Sequence, residues 1–254
     1  MIRVVDYLAN ALAAYGIRHI FLITGGGAMH LNDAICREKR IQYICNHHEQ
    51  ACAIAAEGYA RISGKPGVVC VTTGPGGTNA LTGVLGQWLD SIPALYLSGQ
   101  VRYDTTVPST GLPLRQFGDQ EANIIEMVRP ITKYAVMITD PTSIRYHLEK
   151  AMYLATHGRP GPVWLDIPLN MQASQVDEAS LKSFEPAEEE PSFEKQTLET
   201  QVNTVIEKLA RAERPLIFGG AGIRLAGAAD EFVALVEKLA RQHEYPLKCS
   251  MEEA

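Results

Sequence analysis

At 254 residues, 46% apolar and 20% charged, the chain has the balance of a soluble globular enzyme, long enough for one large domain or about one and a half ordinary ones. A net charge of −6 with no basic cluster argues against a nucleic-acid partner, and no run approaches the ~18 apolar residues that span a bilayer, so no membrane partner is expected either. Cys36, Cys45, Cys52, Cys70 and Cys249 lack paired short spacing and read as reduced, buried thiols rather than metal ligands, and the opening MIRVVDYLANALAAYG lacks a signal peptide's unbroken apolar core, which makes the cytoplasm the expected location.

In chain order, the periodicity predicts a helix near 3–15, a strand at 19–23, a helix at 28–37, a strand at 41–45 and a helix at 49–63. A strand at 67–71, a helix at 77–89, strands at 94–98 and 135–138, a helix at 141–156 and a strand at 162–166 follow. Helices alternating with almost continuously apolar strands predict a doubly wound parallel sheet covered on both faces, an α/β fold. Ligands of such sheets sit beyond the carboxyl ends of the strands. Residues 174–195 are acidic, punctuated by proline and poor in apolar side chains, which reads as a linker between a domain at 1–173 and a further segment at 196–254. That last segment shows an amphipathic helix TLETQVNTVIEKLARA, a strand PLIFGG, a second helix DEFVALVEKLARQ and then Pro246-Leu247. It is expected to be an incomplete second α/β domain, too short to bury a sheet on both faces.

Three segments carry candidate chemistry. HHEQACAIAAEGYAR places Glu49 at the start of a helix of small apolar residues, with Ala51, Ile54, Ala55, Gly58 and Tyr59 expected on its packed side. A carboxylate in an apolar site has a raised pKa and suits proton transfer to a ring nitrogen. The competing reading is an acidic first turn that complements the helix dipole. Upstream, ITGGGAMHLNDAI (Ile23 to Ile35) runs from a strand through Gly26, Gly27 and Ala28 into a helix; downstream, VTTGPGGTNALTG does the same through Thr73, Gly74, Pro75, Gly76 and Asn79. Each turn is either a site of close backbone approach to a ligand or a tight strand-to-helix connection. A phosphate-cradling P-loop is excluded because no Lys-Ser/Thr follows the glycines. Asp90 and the trio Ser98-Gly99-Gln100 are expected to end a helix and a strand rather than react.

In this order, and continuing through RPITKYA and GRPGPVWLDIPLN, the segments resemble the N-terminal, pyrimidine-binding domain of thiamine-diphosphate-dependent enzymes, in particular the acetolactate synthase-like branch, over about residues 1–175. The resemblance implies that Glu49 hydrogen-bonds pyrimidine N1′ of thiamine diphosphate and that Gly26, Gly27, Ala28, Thr73, Pro75 and Asn79 line the cofactor. It further implies that the cofactor serves as electron sink in decarboxylation and carboligation of a 2-keto acid. His48 is implied to orient substrate or carboxylate, and Gln120 to reach the active site across a subunit interface; Arg115, Asp119 and His30 are weaker candidates, and His47 precedes His48. The family's lead into the first loop is an aromatic-Pro pair, where this chain has Thr24-Gly25.

The family's magnesium is held in a third domain by a Gly-Asp-Gly element and paired asparagines. Gly118-Asp119-Gln120 has no Asn-Asn after it, so no metal ligand is expected in this chain and Mg2+ is expected to be held outside it. FAD, bound by some relatives through their middle domain, has no support. The expectation is a homo-oligomeric enzyme portion, inactive alone, completed by a diphosphate-binding domain from a missing C-terminal part or a separate subunit. The alternatives are another thiamine-diphosphate lyase or decarboxylase, including polysaccharide-cluster types, and a non-catalytic interaction module that keeps the fold.

Overall fold

The stretches GVVCV, ALYLSGQ and PVWLDIP are apolar at odd and even positions alike, so as strands they are stable only where both faces are covered. A computed structural model, which describes residues 1–189 and 195–243, places them in the middle of a sheet. The strands are β1 (Ile2–Arg3), β2 (His19–Leu22), β3 (Gln42–Cys45), β4 (Gly67–Val71), β5 (Ala94–Gln100), β6 (Tyr134–Met137), β7 (Pro162–Pro168) and β8 (Gln175–Val176). Six of them form one all-parallel sheet in the order β3-β2-β4-β5-β7-β6, and every residue of β4, β5 and β7 is buried.

The helices that follow are α1 (Val4–Ala14), α2 (Met29–Arg37), α3 (Glu49–Ser63), α4 (Pro75–Thr78), α5 (Leu81–Asp90), α6 (Val107–Thr110), α7 (Ile124–Val128), α8 (Ile144–Thr156) and α9 (Leu169–Ala173), then α10 (Lys195–Arg211), α11 (Gly222–Leu225) and α12 (Ala229–His243). Strand side chains alternate between two cores, as a period of two requires. Ile20, Val68, Leu95 and Leu165 pack with α1, α2 and α8 on one face, whereas Phe21, Val69, Tyr96 and Trp164 pack with α3, α5 and α7 on the other. The predicted doubly wound α/β arrangement is therefore the one observed.

Four local expectations are corrected. The helix expected at 77–89 is two helices, because at Ala80 the hydrogen-bond ladder tightens to Gly77 O (3.1 Å) after two consecutive weak helix formers, Gly76 and Gly77. Helix α3 packs through Cys52, Ala53, Ala56 and Ala60; Ala51 and Gly58 face outward and Ile54 is 52% exposed, so most of the packed side expected from the sequence is its outer side. Of the cysteines, Cys52 and Cys70 are buried but Cys36 and Cys45 are exposed, and Cys249 lies outside the described residues. Finally, PLIFGG is not a strand: Leu216 and Phe218 are 88% and 95% exposed, and among the described residues no strand pairs with it.

The chain divides into two units, Met1–Glu188 and a second beginning at Glu189. Residues 174–188, within the stretch read as linker, belong to the first unit. There β8 pairs antiparallel with β1 (Ile2↔Val176), and Val176, Leu181 and Phe184 are buried. In the second unit α10 and α12 match the two expected helices. Pro246-Leu247 and the closing KCSMEEA lie outside the described residues.

Candidate active site

Strand order brings the three motifs together. The chain leaves β2 for β3 on one side and returns to β4 on the other, so the crevice between β2 and β4 is the topological switch point where open α/β sheets bind ligands. The first glycine turn follows β2, Glu49 follows β3 and the second glycine turn follows β4.

Glu49 is the first residue of α3 and is half-buried. The closed apolar surroundings expected for it are not supplied by the described residues, because a first-turn side chain at a strand's carboxyl end faces the crevice rather than the core. Its Oε2 accepts a 2.7 Å hydrogen bond from Asn79 Nδ2, the residue presented by the break between α4 and α5. Asn79 Nδ2 also lies 3.2 Å from His48 Nε2. His48 caps α3, with Nδ1 accepting from the Gln50 N–H at 3.2 Å. A neutral imidazole with Nδ1 as acceptor carries its proton on Nε2, so the Asn79–His48 approach brings two donors together and the amide bonds only Glu49. Glu49, His48 and Asn79 thus form one cluster.

The glycine turns close on one side chain, Thr72. A Cβ added to Gly25 would lie 2.4 Å from Thr72 Cβ, and one on Gly76 would lie 2.7 Å from Thr72 Cγ2 and 3.6 Å from Glu49 Oε1. Only glycine fits either place. Gly26, Gly27 and Ala28 form a single 3-10 turn; Gly26 is exposed, and the Ala28 methyl is buried in the α1/α2 core. Gln172 Nε2 donates to Gly27 O and to Ile167 O, each at 2.7 Å, while its Oε1 accepts from the Leu31 N–H. A fully buried amide therefore pins the first turn to the end of β7.

In the second turn, Thr73 is buried and its Oγ1 donates to Gly99 O (3.0 Å), while Pro75 is exposed. Gly74 has φ +57, and a Cβ there would sit 2.1 Å from Gln120 O. Gln120 itself adopts φ +55, a left-handed conformation that costs a non-glycine residue free energy. The backbone of Gln120 is thereby set against the glycine turn, with its side chain exposed. Arg115, Asp119 and His47 are exposed and His30 is half-buried in the first turn of α2.

Sequence reasoning missed Thr72, Gln172 and Asp166, and read Ser98 and Gln100 only as a strand end, whereas Ser98, Gln100 and Asp166 are linked by hydrogen bonds inside β5 and β7. A signal was present: single polar residues inside runs buried on both faces must be bonded to one another.

The arrangement suits the polar edge of a planar nitrogen heterocycle. A half-buried carboxylate is fixed by an amide, the glycine turn at Gly76 lies beside it, and the buried Thr72 Oγ1 has no partner, which in a native protein calls for a water or a ligand. Among the described residues no three His, Cys, Asp or Glu side chains gather as a metal site, and no helix is long and apolar enough to cross a membrane.

Comparison with known proteins identifies the family. The family described as "Thiamine pyrophosphate enzyme, N-terminal TPP binding domain" (the pyrophosphate is the diphosphate named above) matches residues 2–127. The acetolactate synthase large subunit of Lactococcus lactis subsp. lactis is 40% identical over 229 residues, covering 90% of this chain and 38% of that protein. The chloroplastic acetolactate synthase of Arabidopsis thaliana is 33% identical over 239 residues (91% and 33%), and the probable acetolactate synthase large subunit of Methanocaldococcus jannaschii 34% over 239 residues (91% and 38%). The chain thus spans 33–38% of the length of these relatives. With the family's domain matched over the residues that build the switch-point crevice, the chain belongs to the thiamine pyrophosphate enzymes, in their acetolactate synthase-like branch.

Proposed function

We propose that this chain supplies the pyrimidine-side half of a thiamine-diphosphate active site in an acetolactate synthase-like enzyme that decarboxylates and joins 2-keto acids. The observation that carries the reading is the Glu49 carboxylate, held by Asn79 at 2.7 Å beside the second glycine turn at the switch point. When bound, the cofactor supplies the electron sink for breaking and making carbon–carbon bonds beside a carbonyl. The chain's own residues do the rest. Glu49 gives a proton to ring nitrogen N1′ and takes it back; Asn79 holds the carboxylate in line; Gly26, where an added Cβ would meet nothing within 4 Å, lets backbone approach the ring, with Gly27, Ala28, Thr73 and Pro75 lining it; Thr72 Oγ1 offers a hydroxyl to its polar edge. His48, exposed beside Glu49, orients substrate or the carboxylate, Pro75 packs against the cofactor, and Gln120, whose side chain is exposed, reaches an active site across a subunit interface.

Magnesium and the diphosphate belong, in this proposal, to a diphosphate-binding domain outside these residues, and nothing here supports FAD. The proposal includes a homo-oligomer in the cytoplasm: the outer faces of α3 and α5 expose Ile54, Leu85, Trp88 and Leu89, an apolar surface of the kind that self-association covers.

The test is deuterium exchange at the cofactor's C2 position, followed by proton NMR, with the chain supplied with magnesium and the diphosphate-binding part of an acetolactate synthase. The wild-type chain is expected to accelerate exchange. Glu49→Gln, which still accepts from Asn79, is expected to slow it by about 10²–10⁴-fold. Equal rates in the two proteins would remove Glu49 from its role.

A further inference from the structure

Behind the second glycine turn lies an acid that the proposed chemistry does not use. Asp166, on β7, is fully buried; its Oδ1 accepts from Ser98 Oγ at 2.5 Å and its Oδ2 from Gln100 Nε2 at 3.1 Å. Ser98 Oγ accepts in turn from Trp164 Nε1 at 2.7 Å. Burying a carboxyl group without a cation is costly unless hydrogen bonds offset the lost water, and here two donors point at it.

Gln100 connects this acid to the site. Its Nε2 also donates to Ala122 O at 3.0 Å, and its Oε1 accepts from the Val101 N–H at 3.0 Å and, at 3.3 Å, shares with Gly99 O the one proton of Thr73 Oγ1. The carboxamide is therefore bonded on both ends, to a residue of the glycine turn on one side and to the loop carrying Gln120 on the other. Those same two segments meet where Gly74 leaves no room for a Cβ beside Gln120 O. An amide free to rotate about its last bond would exchange these partners; here Asp166 Oδ2 and Ala122 O both accept from Nε2 while the Val101 N–H donates to Oε1, so the partners at both ends fix one orientation.

We propose that Asp166 is a positioning residue of the candidate site: acting through Gln100, it sets the second glycine turn and the 118–122 loop in one arrangement relative to each other. The functional consequence rests on the proposed cofactor site, whereas the coupling itself is measurable in the free chain.

Amide hydrogen exchange read by mass spectrometry on the 254-residue chain tests it. Gln100→Leu, which removes the relay and keeps the acid, is expected to speed exchange about tenfold in peptides covering 74–79 and 118–124, the scale of one lost hydrogen bond, while β4, β5 and β7 keep their protection. Asp166→Leu is expected to do the same. Asp166→Asn keeps an oxygen that accepts from Gln100 and is expected to restore exchange to near wild type. Unchanged loops in Gln100→Leu, a gain spread evenly through β5 and β7, or an Asp166→Asn chain as loose as Gln100→Leu would each overturn the proposal. If Asp166→Leu does not fold, Gln100→Leu and Asp166→Asn still decide it.

Discussion

At the scale of single residues, two acids show how position decides chemistry. Glu49 stands at a helix start in the crevice, half-buried and held by one amide. Asp166 is sealed in the sheet, where burial pushes its carboxyl up to about 7 against the opposing pull of the Ser98 and Gln100 hydrogen bonds. This has a stability consequence of definite sign. In the unfolded chain the group titrates at its ordinary value of 3.8, so between about 4 and 7 the folded protein keeps a proton that the unfolded chain has released. The stabilisation is complete below that window and is lost as pH rises through it, by at most about 1.4 kcal/mol per pH unit. Urea denaturation of the wild type and Asp166→Asn at pH 5 and pH 7.5 should show the wild type's stability falling relative to the variant at the higher pH. A constant difference would mean that Asp166 is ionised throughout.

At the scale of elements, glycines separate close approach from plain flexibility. A Cβ on Gly99, in β5, would lie 2.1 Å from Gly27 O and 2.5 Å from Ala28 N, both backbone atoms of the first turn. Gly99→Ala is therefore expected to cost about 1–3 kcal/mol and to loosen that turn. Gly58, on the outer side of α3, meets nothing within 4 Å, so Gly58→Ala is expected to stabilise by about 0.5–1 kcal/mol through helix propensity. Chemical denaturation of both variants checks the pair, and similar signs would mean that local space does not decide. The outer face of α3 was misread for a related reason. Ala, Cys and Gly occur on every side of this helix, so its composition carries little periodic contrast, and contact with β4 and α5 chose Cys52, Ala53 and Ala56.

At the scale of the whole molecule, both hydrophobic cores lie between Val4 and Leu181, within the first unit. A chain ending at Glu188 is expected to melt within about 2 °C of the longer one, since no side chain of these two cores is removed, the buried Val236 and Leu239 belonging to the second unit. Scanning calorimetry tests this, and loss of the transition would show that later residues complete the core. The exposed Leu85 and Leu89 of α5 lead to a second expectation: Leu85→Lys with Leu89→Lys should lower self-association in sedimentation velocity without lowering the melting temperature.

The sequence by itself determined the six strands of the parallel sheet, most of the longer helices and the three motifs at strand ends, because hydrophobic period and turn chemistry are properties of neighbouring residues. Those local signals placed the six strands of the parallel sheet and pointed to Glu49, Asn79 and the glycine turns. Only the tertiary structure decided that β2 lies between β3 and β4, that Asn79 rather than enclosure holds Glu49, and that Gln100, Asp166 and Gln172 brace the turns. Those partners are 30, 66 and 145 residues apart in the chain. Which buried polar groups meet across such separations depends on strand order and on how the sheet closes, which no local pattern encodes.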